Sequence, residues 1–202
     1  MKVRDVMPTA ENSTNFDVVT DSQTQVGTTL ENLKAAVQGE TGASAKYMEF
    51  SKIAKEAGYD QISRQFAATS AAEQIHIKLE VNEIQKVEPD YVPPTAPDVS
   101  GEITDLNLIS GALGEIYETS DMYPSFIKVA QKEGESGAEL VFTRAKLAES
   151  VHAELYLAAY NNIDAPDDDK FYLCPVRGYI HKGDDFEKCP ICFAPKSVFK
   201  EF

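Results

Sequence analysis

The hydrophobic positions of the chain follow a helical spacing of three and four residues over most of its length. On the first such segment the stripe includes Leu33, Val37 and Tyr47, and Gly58 interrupts the pattern before a second segment starts. This spacing is typical of amphipathic helices with one face in a core. It predicts four helices, at roughly 24–57, 60–87, 104–133 and 136–162.

The connections between these segments predict how they are arranged. The first and last links are short, whereas a proline-rich stretch from Glu88 to Pro97 makes the middle link long. Short links produce antiparallel neighbours, and one long crossover between the second and third helices is the ferritin-like bundle topology. We therefore predict a mainly α protein with an N-terminal arm at 1–20 and a ferritin-like four-helix bundle at 21–165.

The last segment, residues 166–202, has a different character. It is aromatic, is interrupted by glycine and proline, and holds all three cysteines. A segment of this size cannot bury enough apolar surface to fold without an additional stabilising element such as a metal ion. The pattern predicts a small separate domain that needs such a stabilising element.

Two halves of the helical region repeat each other, with an offset of one residue in places. Glu73-x-x-His76 follows Glu40 by 33 residues, and Glu149-x-x-His152 follows Glu115 by 34 residues. A single E-x-x-H motif is weak evidence, but two of them at matching distances from a lone Glu indicate one site built twice.

The glutamates of the repeat fall in or beside the apolar stripes, so they face the predicted core. Residues three apart share a helix face, so the Glu and His of each motif can reach one point. Buried carboxylates are costly unless cations neutralise them. Mixed carboxylate and imidazole ligands suit a pair of iron or manganese ions better than structural zinc.

Charge and composition exclude several classes of protein. The chain has 33 acidic and 19 basic residues, a net charge of −14, which argues against a nucleic-acid partner. No apolar run approaches the roughly 18 residues of a membrane span, and the first residues lack the apolar core of a secretory signal. Three cysteines do not make a disulfide framework, so a reducing cytoplasm is the expected location.

Two stretches resemble one known family, the rubrerythrins: GALGEIYETSDMYP at 111–124 and the tail from PDDDKFYLCP to CPICFAPK. The resemblance covers nearly the whole chain. It implies a di-iron bundle joined to a small rubredoxin-like β domain built on metal-binding knuckles. It also implies that the protein acts as a peroxidase, which reduces hydrogen peroxide to water in oxidative stress defence. It also implies electrons from a donor protein or reductase, linked to NADH, and a head-to-tail homodimer in which one subunit's tail lies near the other's di-iron site.

The resemblance also implies roles for individual residues. His76 and Glu118 become alternative ligands of one iron, the Glu when it is ferric and the His when it is ferrous, since the harder ferric ion favours an anionic oxygen. Tyr47 and Tyr123 match tyrosines that support the site and supply protons. The implied ligands of two non-haem irons are Glu40, Glu73, His76, Glu115, Glu118, Glu149 and His152.

The tail departs from the family pattern at one position. A rubredoxin-like domain has two C-x-x-C knuckles; the second is intact as Cys189 and Cys192, but the first has Arg177 three residues after Cys174. An arginine cannot ligate a metal. Three thiolates can still hold iron or zinc with water or His181 as the fourth ligand, but normal rubredoxin redox behaviour is not expected.

Two other functions remain compatible with the sequence. One is iron handling, meaning ferroxidase activity and storage as in ferritins, although the cysteine tail favours electron transfer. The other is a non-enzymatic redox-sensing or metal-sensing module with a structural zinc in the tail.

Overall fold

The computed structural model describes residues 22–165 and 167–202, so the predicted arm at 1–20 lies outside the described residues. The fold is mainly helical with a small C-terminal sheet, which confirms the predicted fold class. No helix within these two ranges is long and apolar enough to cross a membrane. The helices are α1 (Thr29–Glu56), α2 (Asp60–Ile84), α3 (Thr104–Tyr117), α4 (Tyr123–Glu133) and α5 (Ser136–Asn161).

The ends of α1 follow from local chemistry. Thr28 accepts a hydrogen bond from the Glu31 amide while the Glu31 carboxylate accepts one from the Thr28 amide, so α1 starts at Thr29 rather than near residue 24. Gly58, with φ of +85°, lets the chain turn back after two further residues into α2. α1 packs chiefly on α2, while α3 and α4 pack on α5, and residues 85–103 form the long crossover.

The predicted third helix consists of two α-helices, α3 and α4, joined by a turn of another helix type. Between α3 and α4 a π-helical turn spans Glu118–Met122, and its wider hydrogen bonding accommodates one extra residue. This turn explains why the second half of the sequence repeat is one residue longer than the first. It also places Glu118 at a position that has no counterpart in α1.

Two hydrophobic clusters lie at opposite ends of the bundle core. One includes Val37, Phe126 and Phe142, and the other includes Phe66 and Tyr156. Along each of α1, α2 and α5 the acidic and histidine positions fall between the residues of these clusters. A polar layer therefore crosses the middle of an otherwise apolar core.

The tail forms a three-stranded antiparallel sheet in the order β2-β1-β3. Its strands are β1 (Phe171–Leu173), β2 (Ile180–Lys182) and β3 (Lys200–Glu201). Phe171, Leu173 and Ile180 pack against Ala68 and Ala72 of α2, so the tail is held on the bundle of its own chain.

Candidate metal centre

The polar layer consists of carboxylates and imidazoles removed from solvent. Glu73, Glu115 and Glu149 are 0% exposed, and His76 and His152 are at most 1% exposed. Each comes from a helix that is held by apolar residues one turn above and below. Apolar packing on both sides therefore positions these polar groups in the core.

These side chains form two sets, and ligand atoms within each set lie within 4.8 Å of one another. Both sets contain Glu73 and Glu149, so these two carboxylates have an oxygen for each set. The sets match the sequence repeat, because each has the histidine of one Glu-x-x-His motif and the glutamates of both. The first set is Glu40, Glu73, His76 and Glu149, and the second is Glu73, Glu115, Glu149 and His152.

The imidazole nitrogens point at the shared carboxylates. Nδ1 of His76 lies 2.6 Å from Oε1 of Glu149 and 3.1 Å from Oε2 of Glu73. Nδ1 of His152 lies 2.8 Å from Oε2 of Glu149 and 3.4 Å from Oε2 of Glu115. The two rings are nearly parallel, with centroids 6.2 Å apart, as expected for two ligands on adjacent metal positions.

The opposite nitrogens of both rings contact the tail. Nε2 of His76 lies 3.0 Å from the Arg177 carbonyl oxygen, and Nε2 of His152 lies 2.9 Å from the Gly178 carbonyl oxygen. A carbonyl only accepts, so each Nε2 donates and each Nδ1 keeps its lone pair for a cation. The first cysteine knuckle thereby fixes the tautomer and orientation of both histidines.

Gly178 is required for this approach for two reasons. Its φ of +74° favours glycine, and a Cβ atom there would collide with Nε2 of His76. The glycine of the knuckle therefore serves the bundle site as well as the tail.

Tyrosines support the two outer carboxylates in a matched way. The Tyr47 hydroxyl donates to Oε1 of Glu115 at 2.5 Å, and the Tyr123 hydroxyl donates to Oε1 of Glu40. Both tyrosines are buried, and burial followed by the nearby carboxylate raises the pKa of each well above its ordinary value. They are therefore neutral hydroxyls that hold one oxygen of Glu115 and Glu40 and leave the other free.

The remaining ligand atoms form no well-directed hydrogen bond within residues 22–165 and 167–202, although the Nδ1 atoms and the shared carboxylates lie at ion-pair distance from one another. Buried polar atoms are almost always hydrogen-bonded, so a group of orphans in one place calls for a cation. The chemistry of this set, carboxylate oxygens with imidazole nitrogens, fits two iron ions. The orphaned atoms are Oε2 of Glu40 and Glu115, both carboxylate oxygens of Glu73 and Glu149, and Nδ1 of His76 and His152.

In the absence of metal, protons must do the same work. Burial raises the pKa of Glu115 to about 8, with the Glu73 and Glu149 carboxylates adding to the effect. Burial opposes the charge of His76, but the adjacent Glu149 outweighs it and raises the pKa of His76 well above its usual value. In turn the two histidines hold the pKa of Glu149 well below its usual range despite burial.

Glu118 is placed beside the two sets but belongs to neither. Its side chain is buried, its Oε2 finds no hydrogen-bond partner in the described parts of the chain, and burial with the Glu115 charge raises its pKa. His76, its predicted alternative, is within the first set. The structure therefore brings His76, and not Glu118, into the first set.

One buried acid of the site was missed by the sequence reasoning. Glu80, on α2 one turn after His76, is 0% exposed, and its Oε1 lies 3.0 Å from the Tyr123 hydroxyl oxygen. The signal was present, because continuing the stripe of Thr69, Glu73 and His76 by four residues reaches Glu80. It was overlooked because the second half of the repeat has Tyr156 at that position.

The three cysteines of the tail form a second candidate site. Their Sγ atoms lie within 4.8 Å of one another, and the Sγ atoms of Cys174 and Cys192 are 3.6 Å apart. A hydrogen bond with Cys174 lowers the pKa of Cys189 to about 6, which favours a thiolate. His181, the considered fourth ligand, instead contacts Tyr179 and Asp185 at 3.0 and 2.9 Å, so water is the simpler fourth ligand.

Comparisons with known proteins agree with this geometry. The rubrerythrin family pattern matches residues 31–160. Nigerythrin of Nitratidesulfovibrio vulgaris is 67% identical over the full length of both chains, and rubrerythrin-1 of Clostridium acetobutylicum is 35% identical over 85% of this chain and 93% of its own.

Solved structures give the same result. Nigerythrin in its fully reduced, all-ferrous state superposes with a TM-score of 0.92 over 100% of both chains. A bacterioferritin of Desulfovibrio desulfuricans, 21% identical, matches 69% of this chain and 82% of its own with a TM-score of 0.61, which shows the bundle fold alone. The protein belongs to the rubrerythrin family, a family with a di-iron site, and its buried carboxylate and histidine layer has the ligand atoms to hold two metal ions.

Proposed function

We propose that this protein is a peroxidase that reduces hydrogen peroxide to two water molecules in oxidative stress defence. The observation that carries the proposal is the pair of four-residue sets that share Glu73 and Glu149. Peroxide reduction needs two electrons, and two linked metal positions match that number. Family membership supports an oxidoreductase with a di-iron site, and peroxide as the substrate is our inference.

The residues of the chain divide the remaining work. Iron held in the two sets would supply the electrons and would act as a Lewis acid that binds the substrate. The Tyr47 and Tyr123 hydroxyls are the protons nearest to the outer carboxylates Glu115 and Glu40, and cleavage of the O–O bond needs a proton at the leaving oxygen. The hydrophobic clusters on both sides exclude bulk water from the layer.

We further propose that Glu118 and His76 exchange as ligands of the first position. Glu118 is an anionic oxygen donor suited to the ferric ion, and His76 is a neutral nitrogen donor suited to the ferrous ion. The π-helical turn supports this proposal because it presents Glu118 at the edge of the layer, with one carboxylate oxygen unpaired in the described structure.

Electrons would enter from a donor protein or reductase linked to NADH, by way of the tail or directly. The first knuckle touches both histidines, which supports the tail as the entry point. In this single chain the contact is made by the chain's own tail. A head-to-tail homodimer, as the resemblance implies, would form the same contact by exchanging tails between two copies.

A single-turnover experiment tests the peroxidase proposal. Iron-loaded protein is reduced without oxygen and mixed with either one equivalent of hydrogen peroxide or dissolved oxygen, and the oxidation of iron is followed by absorption. We expect peroxide to react much faster than oxygen, with two electrons consumed per peroxide. Rapid oxidation by oxygen alone, together with a shell-sized particle on gel filtration, would favour iron storage instead.

A further inference from the structure

The three thiols of the tail are one ligand short of a closed metal site. Their Sγ atoms lie within 4.8 Å of one another, and Arg177 stands where a rubredoxin knuckle has its fourth thiol. A site with four protein ligands is closed, whereas a site with three keeps one position open to small molecules. These cysteines are therefore more open to small reagents than those of a complete rubredoxin-like centre.

One pair of these thiols is already in contact. Sγ of Cys174 and Sγ of Cys192 are 3.6 Å apart, and a disulfide bond joins two sulfurs at about 2 Å. Cys174 is buried, but Cys192 is partly exposed. An oxidant from solvent therefore reaches Cys192 first, and Cys174 is the thiol placed to react with the oxidised product.

The two knuckle loops present this pair from opposite sides. The Cys174 amide donates a hydrogen bond to the Tyr179 carbonyl at 2.8 Å. The Cys189 amide donates to the Ala194 carbonyl at the same distance, so each loop is closed by a bond across five residues. The thiols thus meet between two hydrogen-bonded turns, and their contact does not depend on a fourth cysteine.

We propose that Cys192 and Cys174 form a thiol pair that hydrogen peroxide oxidises to a disulfide. In the first step the O–O bond breaks, the Cys192 sulfur gains a hydroxyl group, and the thiol proton leaves with the other oxygen as water. In the second step the Cys174 sulfur attacks the Cys192 sulfur, and the hydroxyl group leaves with the Cys174 proton as a second water. The two thiols lose two electrons, and one peroxide gains them.

The pair is a modification site that goes beyond the proposed peroxidase function, because the reaction consumes peroxide at the tail and needs no iron in the bundle. The disulfide uses two of the three possible ligands of a tail metal, so the disulfide and metal binding exclude each other. It also joins the two knuckles covalently and supplies the stabilising element that a domain of this size needs. The loop whose carbonyls contact His76 and His152 therefore keeps its place after oxidation.

Peptide mapping of the full-length protein tests the pairing. The protein is treated with excess hydrogen peroxide, then with catalase and an alkylating reagent, and is digested with trypsin without reductant. Trypsin cuts after Arg177 and after Lys188, so a disulfide from Cys174 joins two peptides. A disulfide between Cys189 and Cys192 stays within one peptide. We expect the three free thiols to fall to one, with the bond between Cys174 and Cys192 and the alkyl group on Cys189.

Two variants and an unfolded sample are the controls. Cys189→Ser should still form the bond, whereas Cys192→Ser, which lacks the exposed thiol, should lose its free thiols roughly tenfold more slowly. Protein unfolded in urea should give all three pairings, because the fold no longer selects one. The wild-type map decides the pairing by itself if a variant does not fold.

Three results would overturn the proposal. They are a bond that includes Cys189 in the folded wild type, three thiols that survive peroxide, and oxidation of Cys192 to a sulfinic acid without a bond to Cys174. The peroxidase proposal fails separately, when peroxide does not oxidise the bundle iron although the disulfide forms in the tail.

Discussion

The bundle site and the tail site differ in completeness. In the bundle, four helices supply every ligand, and the matched tyrosines hold the outer carboxylates. In the tail, three thiols converge and the fourth ligand position of the knuckles has Arg177. The bundle core is built from two hydrophobic clusters, whereas a tail this small depends on a metal ion for its stability. The bundle therefore has its full set of ligands, and the tail lacks one.

The two knuckles of the tail show that the loop survives the loss of its thiol. The Gly178 amide donates to the Cys174 carbonyl at 3.1 Å, and the Phe193 amide donates to the Cys189 carbonyl at 2.9 Å. Gly178 and Phe193 both have positive φ. Arg177 thus occupies the position in the first knuckle that Cys192 occupies in the second, and the two loops have the same backbone conformation. The carbonyl oxygen of Arg177 still contacts His76. Contact with the bundle and binding of a tail metal are separable tasks.

The largest effect should follow from removing a ligand that both metal sets share. We expect Glu149→Gln to lose both irons, since it removes one anionic ligand from each set. Elemental analysis of the purified variant measures this, with Glu154→Gln on the same helix as the control that keeps two irons. Two irons retained in Glu149→Gln would show that the sets do not act as one site.

The second effect tests the incomplete site. We expect Arg177→Cys to bind iron through four thiolates in the tail and to show the thiolate-to-iron absorption of a rubredoxin-like centre, because it restores the fourth ligand. Donor-driven steady-state turnover should rise, while single turnover of chemically reduced protein stays the same.

Arg177→Ala is the matched control, because it removes the cation without adding a thiolate. It should show neither the four-thiolate absorption nor the faster steady-state rate. An unchanged donor-driven rate in Arg177→Cys would mean that electrons bypass the tail.

The bundle site was largely predictable because its pattern is local. Glu73 and His76 share a helix face by their spacing, and the repeat with Glu149 and His152 doubled the signal. The one-residue offset was visible, but its cause, the π-helical turn at Glu118–Met122, depends on hydrogen bonding that spacing does not reveal. The contacts between the knuckle carbonyls and the histidines were not predictable, since they join residues 101 and 26 positions apart and depend on how the tail packs on the bundle.

The third effect is on the stability of the bundle when its metal is removed. Glu115 has its pKa raised to about 8 by burial, so the folded protein retains a proton that the unfolded chain loses near pH 4.5. Metal-free protein should therefore lose stability as pH rises from about 4.5 to 8, at about 1.4 kcal/mol per pH unit for each such proton. Urea unfolding of bundle helices by circular dichroism measures this. Iron-loaded protein should lack the trend, and a metal-free protein that gains stability over this range would contradict it.

The smallest effect isolates the contact between the two sites. Gly178→Ala and Gly183→Ala both place a side chain at positive φ, at a cost of about 1–2 kcal/mol each. Only at position 178 does the new Cβ also meet His76, since the nearest atom at 183 is an Asp185 oxygen 3.6 Å away. We expect both variants to destabilise the tail in limited proteolysis, but only Gly178→Ala to weaken retention of bundle iron, by roughly tenfold. Equal iron retention in the two variants would mean that the histidines do not need the tail carbonyls, and that the two sites are neighbours without being coupled.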